Sequence, residues 1–146
     1  MRIAVLVTHP IQYFAPIFRE LAQSADLQLK VFFGCDHGVT PLEDPTFKVV
    51  FKWDCEPTAG FEHEFLSTGS ISSLQGLTGI SLATKAVTAI NRYQPDTVLI
   101  FAYSPAFITV STLLLRLAGH KLMLRAETTD EALKRSNFKD KIRQIL

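Results

Sequence analysis

Polar side chains that could contact a ligand follow the first apolar stretch of the chain. Ile3 to Val7 is a continuous apolar run, and His9 and Gln12 come shortly after it. Imidazole and amide groups can each donate and accept hydrogen bonds, which suits them to bind sugar-like hydroxyls at the mouth of a crevice. The alternative interpretation is that His9 only caps the turn, and the residues alone leave both open.

A second set of polar side chains follows the later apolar stretches. Tyr103 comes two residues after the run from Thr97 to Phe101, and Arg125 and Glu127 come after the run that ends at Leu124. Arg125 and Glu127 are two residues apart, so their side chains point to the same side if the strand extends that far. They either contact a ligand or form a salt bridge with each other.

Strands alternating with helices must position these side chains. The hydrophobic pattern predicts five strands in the ranges Ile3 to Val7, Leu27 to Phe33, Phe47 to Trp53, Thr97 to Phe101 and Lys121 to Leu124. It predicts helices from Pro16 to about Ser24, from a cap at Ser81 to Tyr93, from Pro105 to Leu117 and from Asp130 to Leu146. Gly34 to Thr46 is expected to be a long loop, and Glu56 to Ser81 to be largely irregular.

This alternation predicts an α/β fold of three layers, Rossmann-like, in which helices cover both faces of a mostly parallel sheet. Sequence order does not fix strand order. If the order is 3-2-1-4-5, a crevice opens between the first strand and the strand from Thr97 to Phe101. His9 and Tyr103 would then face each other across that crevice, with Glu127 one strand further along.

Composition narrows the class of protein. The chain has 146 residues, of which 47% are hydrophobic and 20% charged, with 11 phenylalanines and a net charge of +1. These values are typical of a compact globular domain and argue against a disordered chain or a nucleic-acid-coating protein. The first apolar run of five residues is too short for a signal-peptide core or a membrane span, so we expect a cytoplasmic protein.

The sequence lacks the motifs that mark several common cofactor-binding and catalytic sites. The dinucleotide fingerprint, the P-loop and the nucleophile elbow are all missing, so we expect no bound cofactor. Cys35 and Cys55 are expected to be free thiols. Together with His37 and His63 they match no metal-ligand spacing, so no metal site is expected either.

The final predicted helix is amphipathic and basic. Phe138, Ile142 and Ile145 recur at helical spacing among lysines and arginines. Such a helix could contact an anionic membrane surface at its periphery, but packing on its own domain is the favoured interpretation.

Three stretches carry a resemblance to a known family. They are the opening MRIAVLVTHPIQYFAPIFRELA, the later WDCEP followed by GFEHEFL, and the pattern LRAETT followed by KRS. The chain resembles, over nearly its whole length, the N-terminal domain of family 4 glycosyltransferases of the two-domain GT-B type. Many relatives have a glycine pair where this chain has His9-Pro10-Ile11, and several have a histidine where this chain has Glu127.

The resemblance implies a role for the whole chain. Residues 1–146 would form a single acceptor-side domain, whereas the second domain, which binds the nucleotide-sugar donor, is not encoded here. The full enzyme would transfer a hexose to a sugar or lipid-linked hydroxyl acceptor with retention and without a metal. On the wall of the cleft, His9 and Glu127 are the candidates for catalysis, and Gln12, Tyr103 and Arg125 for substrate binding.

Two other classes of function remain open from the sequence. A sugar-nucleotide epimerase uses the same two-domain architecture, and a stand-alone α/β module could bind a ligand without catalysis. Nucleic acid is not an expected partner.

Overall fold

The computed structural model describes residues 1–39, 42–43, 50–51, 56–102 and 104–125. Strands and helices alternate along the chain except for four successive strands in its first half. They are β1 Arg2–Val7, α1 Ala15–Gln23, β2 Gln28–Phe33, β3 Leu42–Glu43, β4 Val50–Phe51, β5 Glu62–Phe65, a 3₁₀ turn Ile71–Leu74, α2 Gly76–Tyr93, β6 Thr97–Phe101, α3 Ala106–Leu117 and β7 Leu122–Arg125.

Within the described residues, five of these strands form one parallel sheet in the order β5-β2-β1-β6-β7. β1 lies at the centre and pairs along its whole length with β2, from Arg2 opposite Gln28 to Val7 opposite Phe33. In sequence order of these five strands the arrangement is 3-2-1-4-5, so the chain changes direction across the sheet between β1 and β6. The predicted α/β, Rossmann-like fold is confirmed.

Helices cover both faces of the sheet, as three layers require. On one face α2 and α3 pack over Leu6, Phe32 and Ile100. On the other face α1 inserts Phe18 among Val5, Val31 and other strand side chains. The strands with the longest apolar runs are therefore those buried on both sides, as expected of a parallel sheet.

The third strand of the sheet differs from the expectation. Phe47 to Trp53 was expected to supply an outer strand, but Val50–Phe51 forms a separate antiparallel ribbon with Leu42–Glu43, which lies in the expected loop. The outer strand is instead β5, inside the segment expected to be irregular. Its four residues alternate in polarity: Glu62 and Glu64 contact Lys30 at 3.2 and 3.0 Å, while His63 and Phe65 pack against Phe33.

Helix α2 begins earlier than Ser81, so the expected cap at Ser81 is wrong. The helix starts at Gly76, and its first turn approaches the preceding 3₁₀ turn very closely. A Cβ added at Gly79 would lie 2.1 Å from the carbonyl oxygen of Leu74 and 3.1 Å from the amide nitrogen of Phe107. The absence of a side chain at Gly79 therefore permits close packing. The composition of the segment from Glu56 to Ser81 had suggested an irregular structure instead.

The other elements lie close to their expected positions. α1 carries its proline in the first turn, and α3 ends before Gly119, whose φ is +84°. β6 has the expected bounds, whereas β2 and β7 each start one residue later than expected. The predicted helix from Asp130 to Leu146 lies outside the described residues.

The outermost strand β7 is only partly covered. Met123 is 61% exposed and Leu124 is 53% exposed, and alternate residues of a strand face opposite sides of the sheet. Of the helices in the described ranges, none has the length and apolar character that crossing a membrane requires.

Candidate functional site

The candidate site lies at the carboxyl edge of the sheet, beyond the ends of β1, β2, β6 and β7. In open parallel sheets, ligands bind at this edge where the chain changes direction across the sheet. That point lies between β1 and β6 here. Thr8 and His9 follow β1 directly, and Arg125 ends β7 two strand spacings away, about 10 Å.

Backbone hydrogen bonds extend the pairing of β1 and β2 past their ends. The amide of Gly34 donates to the carbonyl of Val7 at 2.9 Å, and the amide of Cys35 donates to the carbonyl of Thr8 at 3.0 Å. These bonds hold the two segments side by side just before His9 and His37. Both histidines are thus placed by the strands.

Position 34 must be a glycine in this arrangement, because the surrounding atoms leave no room for a side chain. A Cβ at this position would lie 2.8 Å from the ring of Phe107, 2.9 Å from the side chain of Leu74 and 2.9 Å from the carbonyl oxygen of Thr8. The backbone after β2 consequently packs against the start of α3 without room for a side chain.

His9 and His37 form an edge-to-face pair at the mouth of the crevice. Their ring centroids are 5.7 Å apart with the planes at 74°, and Nδ1 of His9 lies 2.9 Å from the hydroxyl of Thr8. Burial, and secondarily the positive charge of His37, lower the pKa of His9 to about 4. His9 is therefore neutral near pH 7 and is a weak base, so its position favours hydrogen bonding to a ligand.

Asp36 joins the end of β2 to the segment after β5. Its side chain is 8% exposed, and one carboxylate oxygen accepts a hydrogen bond from the amide of Gly69 at 2.7 Å. The hydroxyl of Ser67 donates to the carbonyl of Gly34 at 2.6 Å. Together these bonds fix the floor of the site on the β2 side.

The preceding residue, Cys35, is fully buried with a free thiol. Burial raises the pKa of this thiol, so the sulfur is protonated near pH 7 and is not activated as a nucleophile. The expectation of a free thiol is confirmed for Cys35, while Cys55 lies outside the described residues.

Arg125 is held on the β7 side by two aromatic rings. Its guanidinium carbon lies 4.8 Å from the ring centroid of Phe14 and 5.0 Å from that of Phe101. The two rings contact each other edge to face at 4.9 Å. The amide of Ala102, whose φ is +82°, donates to the carbonyl of Arg125 at 3.0 Å. A cation is thus fixed at the carboxyl edge by cation–π contacts and backbone pairing.

The turn between β1 and α1 presents two more side chains at this edge. Gln12 is half-buried, and Tyr13 is 72% exposed. An exposed phenol ring beside an amide suits a sugar ring, because it offers an apolar face and a polar tip.

The structure brings together part of the predicted site. His9, Gln12 and Arg125 all lie at the carboxyl edge, whereas Tyr103 and Glu127 lie outside the described residues. The contacts of His9 with His37, and of Asp36 with the segment after β5, were not predicted. The available signal was the run Cys35-Asp36-His37, which follows the second apolar strand after one glycine. Among the described residues, no group of three or more acidic, histidine or cysteine side chains is placed to hold a metal ion.

Comparisons with known proteins bear on the fold. No protein-family model matches the chain, and no curated protein matches it in sequence. Among solved structures the chain is similar to UDP-GlcNAc 2-epimerase from Neisseria meningitidis bound to UDP-GlcNAc, with a TM-score of 0.60 and 12% sequence identity. The match covers 99% of this chain and 38% of that chain. The chain therefore spans well under two thirds of that protein and shares with it a GT-B-like α/β fold.

Proposed function

We propose that this domain is the acceptor-side half of a two-domain enzyme that acts on nucleotide sugars. In the full protein, a hexose would pass from the nucleotide sugar to a hydroxyl of a sugar or lipid-linked acceptor, with retention at the anomeric carbon. The observation that carries the proposal is the position of His9 at the end of β1, beside the point where strand order reverses. The opening sequence motif and the GT-B-like fold support it further.

Each described side chain has a role in this proposal. Gln12 and Tyr13 contact acceptor hydroxyls, and neutral His9 orients the attacking hydroxyl through a hydrogen bond. Arg125, held by its aromatic rings, stabilises negative charge that develops on the leaving group. From the sequence alone, Tyr103 is assigned to substrate binding and Glu127 to catalysis. The nucleotide would bind to the second domain, so residues 1–146 alone would not transfer sugar.

A sugar-nucleotide epimerase is the second candidate, and the similarity to a UDP-GlcNAc 2-epimerase favours it. Such an enzyme would use the same crevice without an acceptor. The two candidates differ in their products, because transfer consumes an acceptor and epimerisation does not. Either enzyme would act in the cytoplasm, with peripheral contact at the inner face of the membrane if the acceptor is lipid-linked.

The test uses the full-length protein with a panel of nucleotide sugars, with and without hydroxyl acceptors. The proposed transferase releases nucleoside diphosphate only with an acceptor, and NMR of the product shows a retained anomeric configuration. Accumulation of an epimer without an acceptor would identify the second candidate. Turnover by residues 1–146 alone would contradict the assignment of the donor site to a second domain.

A further inference from the structure

A groove runs along helix α2, away from the crevice described above. It has a volume of about 590 Å³ and lies between β5, the segment that follows β5, and the exposed side of α2. Ser67 and Thr68 line one end, just past the carboxyl end of β5, and Arg92 lines the other end in the last turn of α2. From Ser81 to Arg92 the helix rises about 16 Å, so the groove is elongated.

Serine and threonine are the commonest residue types in the lining. Seven serine and threonine side chains contribute to it, and several already donate their hydrogens to the backbone. Thr84 donates to the carbonyl of Ser81 at 2.7 Å, Thr88 to that of Thr84 at 2.9 Å, and Ser73 to that of Ser70 at 2.8 Å. Their oxygens are left as acceptors. The wall therefore suits a ligand that presents many hydroxyl donors.

Two cations stand on the same side of α2. Lys85 and Arg92 are seven residues apart, so they share a helix face and are separated by about 10 Å along the axis. Lys85 also donates to the carbonyl of Leu66. Cations this far apart do not converge on one phosphate, but they can each pair with a separate anionic group along an extended ligand.

The acidic residue in the lining does not cancel this charge. Glu64 is the carboxylate among the lining residues, and its oxygen lies 3.0 Å from the ammonium of Lys30. Lys30 also contacts Glu62 at 3.2 Å, so this cluster of one cation and two carboxylates keeps one net negative charge, which offsets part of the charge of Lys85 and Arg92. Lys85 and Arg92 give the groove a positive character.

We propose that this groove binds an acidic oligosaccharide, a chain of sugars whose carboxylates pair with Lys85 and Arg92 while its hydroxyls donate to the threonine and serine oxygens. Because one end of the groove reaches the carboxyl edge of the sheet, such a chain could extend from the crevice. Identifying it as the growing acceptor rests on the proposed function, whereas its binding does not.

The test measures binding of tetragalacturonate to the full chain by calorimetry, with the uncharged galactotetraose as the matched saccharide. Tetragalacturonate is expected to bind more tightly, and added salt should weaken its binding. Lys85→Gln and Arg92→Gln should each raise its Kd by about fivefold, a magnitude typical of exposed charge pairs. Lys121→Gln removes an exposed charge remote from the groove and should leave the Kd unchanged.

Equal binding of the two saccharides, or a Kd that neither Lys85→Gln nor Arg92→Gln changes, would overturn the proposal. The nucleotide-sugar assay separates this result from the proposed function. If the groove binds tetragalacturonate but the full-length protein turns over no nucleotide sugar, the enzyme proposal fails and the groove remains a binding site. If transfer occurs but the groove variants bind as the wild type does, only the groove proposal fails.

Discussion

The ring of His9 meets the ring of His37 edge to face, with 5.7 Å between centroids, at the ends of two adjacent parallel strands. The pair lies at the carboxyl edge of the sheet, next to the point between β1 and β6 where strand order reverses. One consequence is electrostatic, because two imidazoles this close disfavour a second positive charge. Another is structural, since each ring limits the orientation of the other.

Stability should depend on pH through His9. The pKa of His9 is about 4 in the folded protein and 6.5 as its ordinary value, so the unfolded chain binds more protons between these pH values. The free energy of unfolding should therefore fall as the pH drops from 6.5 to 4, by on the order of 3 kcal/mol. Urea unfolding at a series of pH values measures this loss.

His9→Gln is the control for that measurement, since it removes the titrating group and keeps a polar side chain. The difference in the free energy of unfolding between the wild type and His9→Gln should change between pH 6.5 and pH 4. His37 contributes to the lowered pKa of His9 after burial does, so His37→Gln should raise that pKa part of the way back. An unchanged pH profile in His9→Gln would assign the loss to other groups.

In the proposed two-domain enzyme, Arg125 should matter for turnover through its charge. Arg125→Met is expected to lower kcat by about tenfold or more, because a charged hydrogen bond to the developing negative charge is lost. Phe14→Leu removes one of the two aromatic supports and should lower kcat by about two- to fivefold, the scale of an exposed cation–π contact. Steady-state kinetics with the best nucleotide sugar provides both values.

The decisive comparison is between these two variants. Phe14→Leu should leave the charge in place, so its kcat should stay above that of Arg125→Met. Wild-type kinetics in Arg125→Met would remove Arg125 from the site.

Asp36 should stabilise the fold through its acceptor oxygen. Asp36→Ala leaves the partly buried amide of Gly69 without this partner and should cost about 2 kcal/mol. Asp36→Asn retains a carbonyl oxygen as acceptor, so its cost should be no more than about 1 kcal/mol. Chemical denaturation of the three proteins gives the comparison, and equal losses in both variants would show that the charge, not the hydrogen bond, is what stabilises.

Gly79 should tolerate no side chain. Gly79→Ala forces a methyl group toward the Leu74 carbonyl, so we expect a loss of about 2–4 kcal/mol or failure to fold. Ser81→Ala is the matched control in the same helix, and it should change stability by less than about 0.5 kcal/mol, since Ser81 lies inside the helix. A loss of about 1 kcal/mol in Ser81→Ala would instead support a capping role.

The sequence predicted the parts of the fold that depend on long apolar runs. β1, β2 and β6 are buried on both faces, and the resulting patterns are unambiguous. β5 was missed because only one of its faces is apolar and its four residues lie among glycines and serines. The start of α2 was missed because Gly76 and Gly79 suggest a break in isolation, whereas close packing against Leu74 requires a glycine at position 79.

The site was predictable where it depends on strand ends and not where it depends on contacts. His9 and Arg125 could be assigned to the carboxyl edge because each lies within two residues of the end of an apolar run. The pairing of His9 with His37 depends on which strands are neighbours, and sequence order does not determine that. The support of Arg125 by Phe14 joins residues more than a hundred positions apart, and no local pattern indicates it.

The half-covered strand β7 has a practical consequence for experiments with these residues. Met123 and Leu124 are exposed apolar side chains on the two faces of this edge strand, which makes it a surface for association with another molecule. Samples concentrated for calorimetry or NMR should self-associate there. Dilution series are accordingly needed before any oligomer is given a biological meaning.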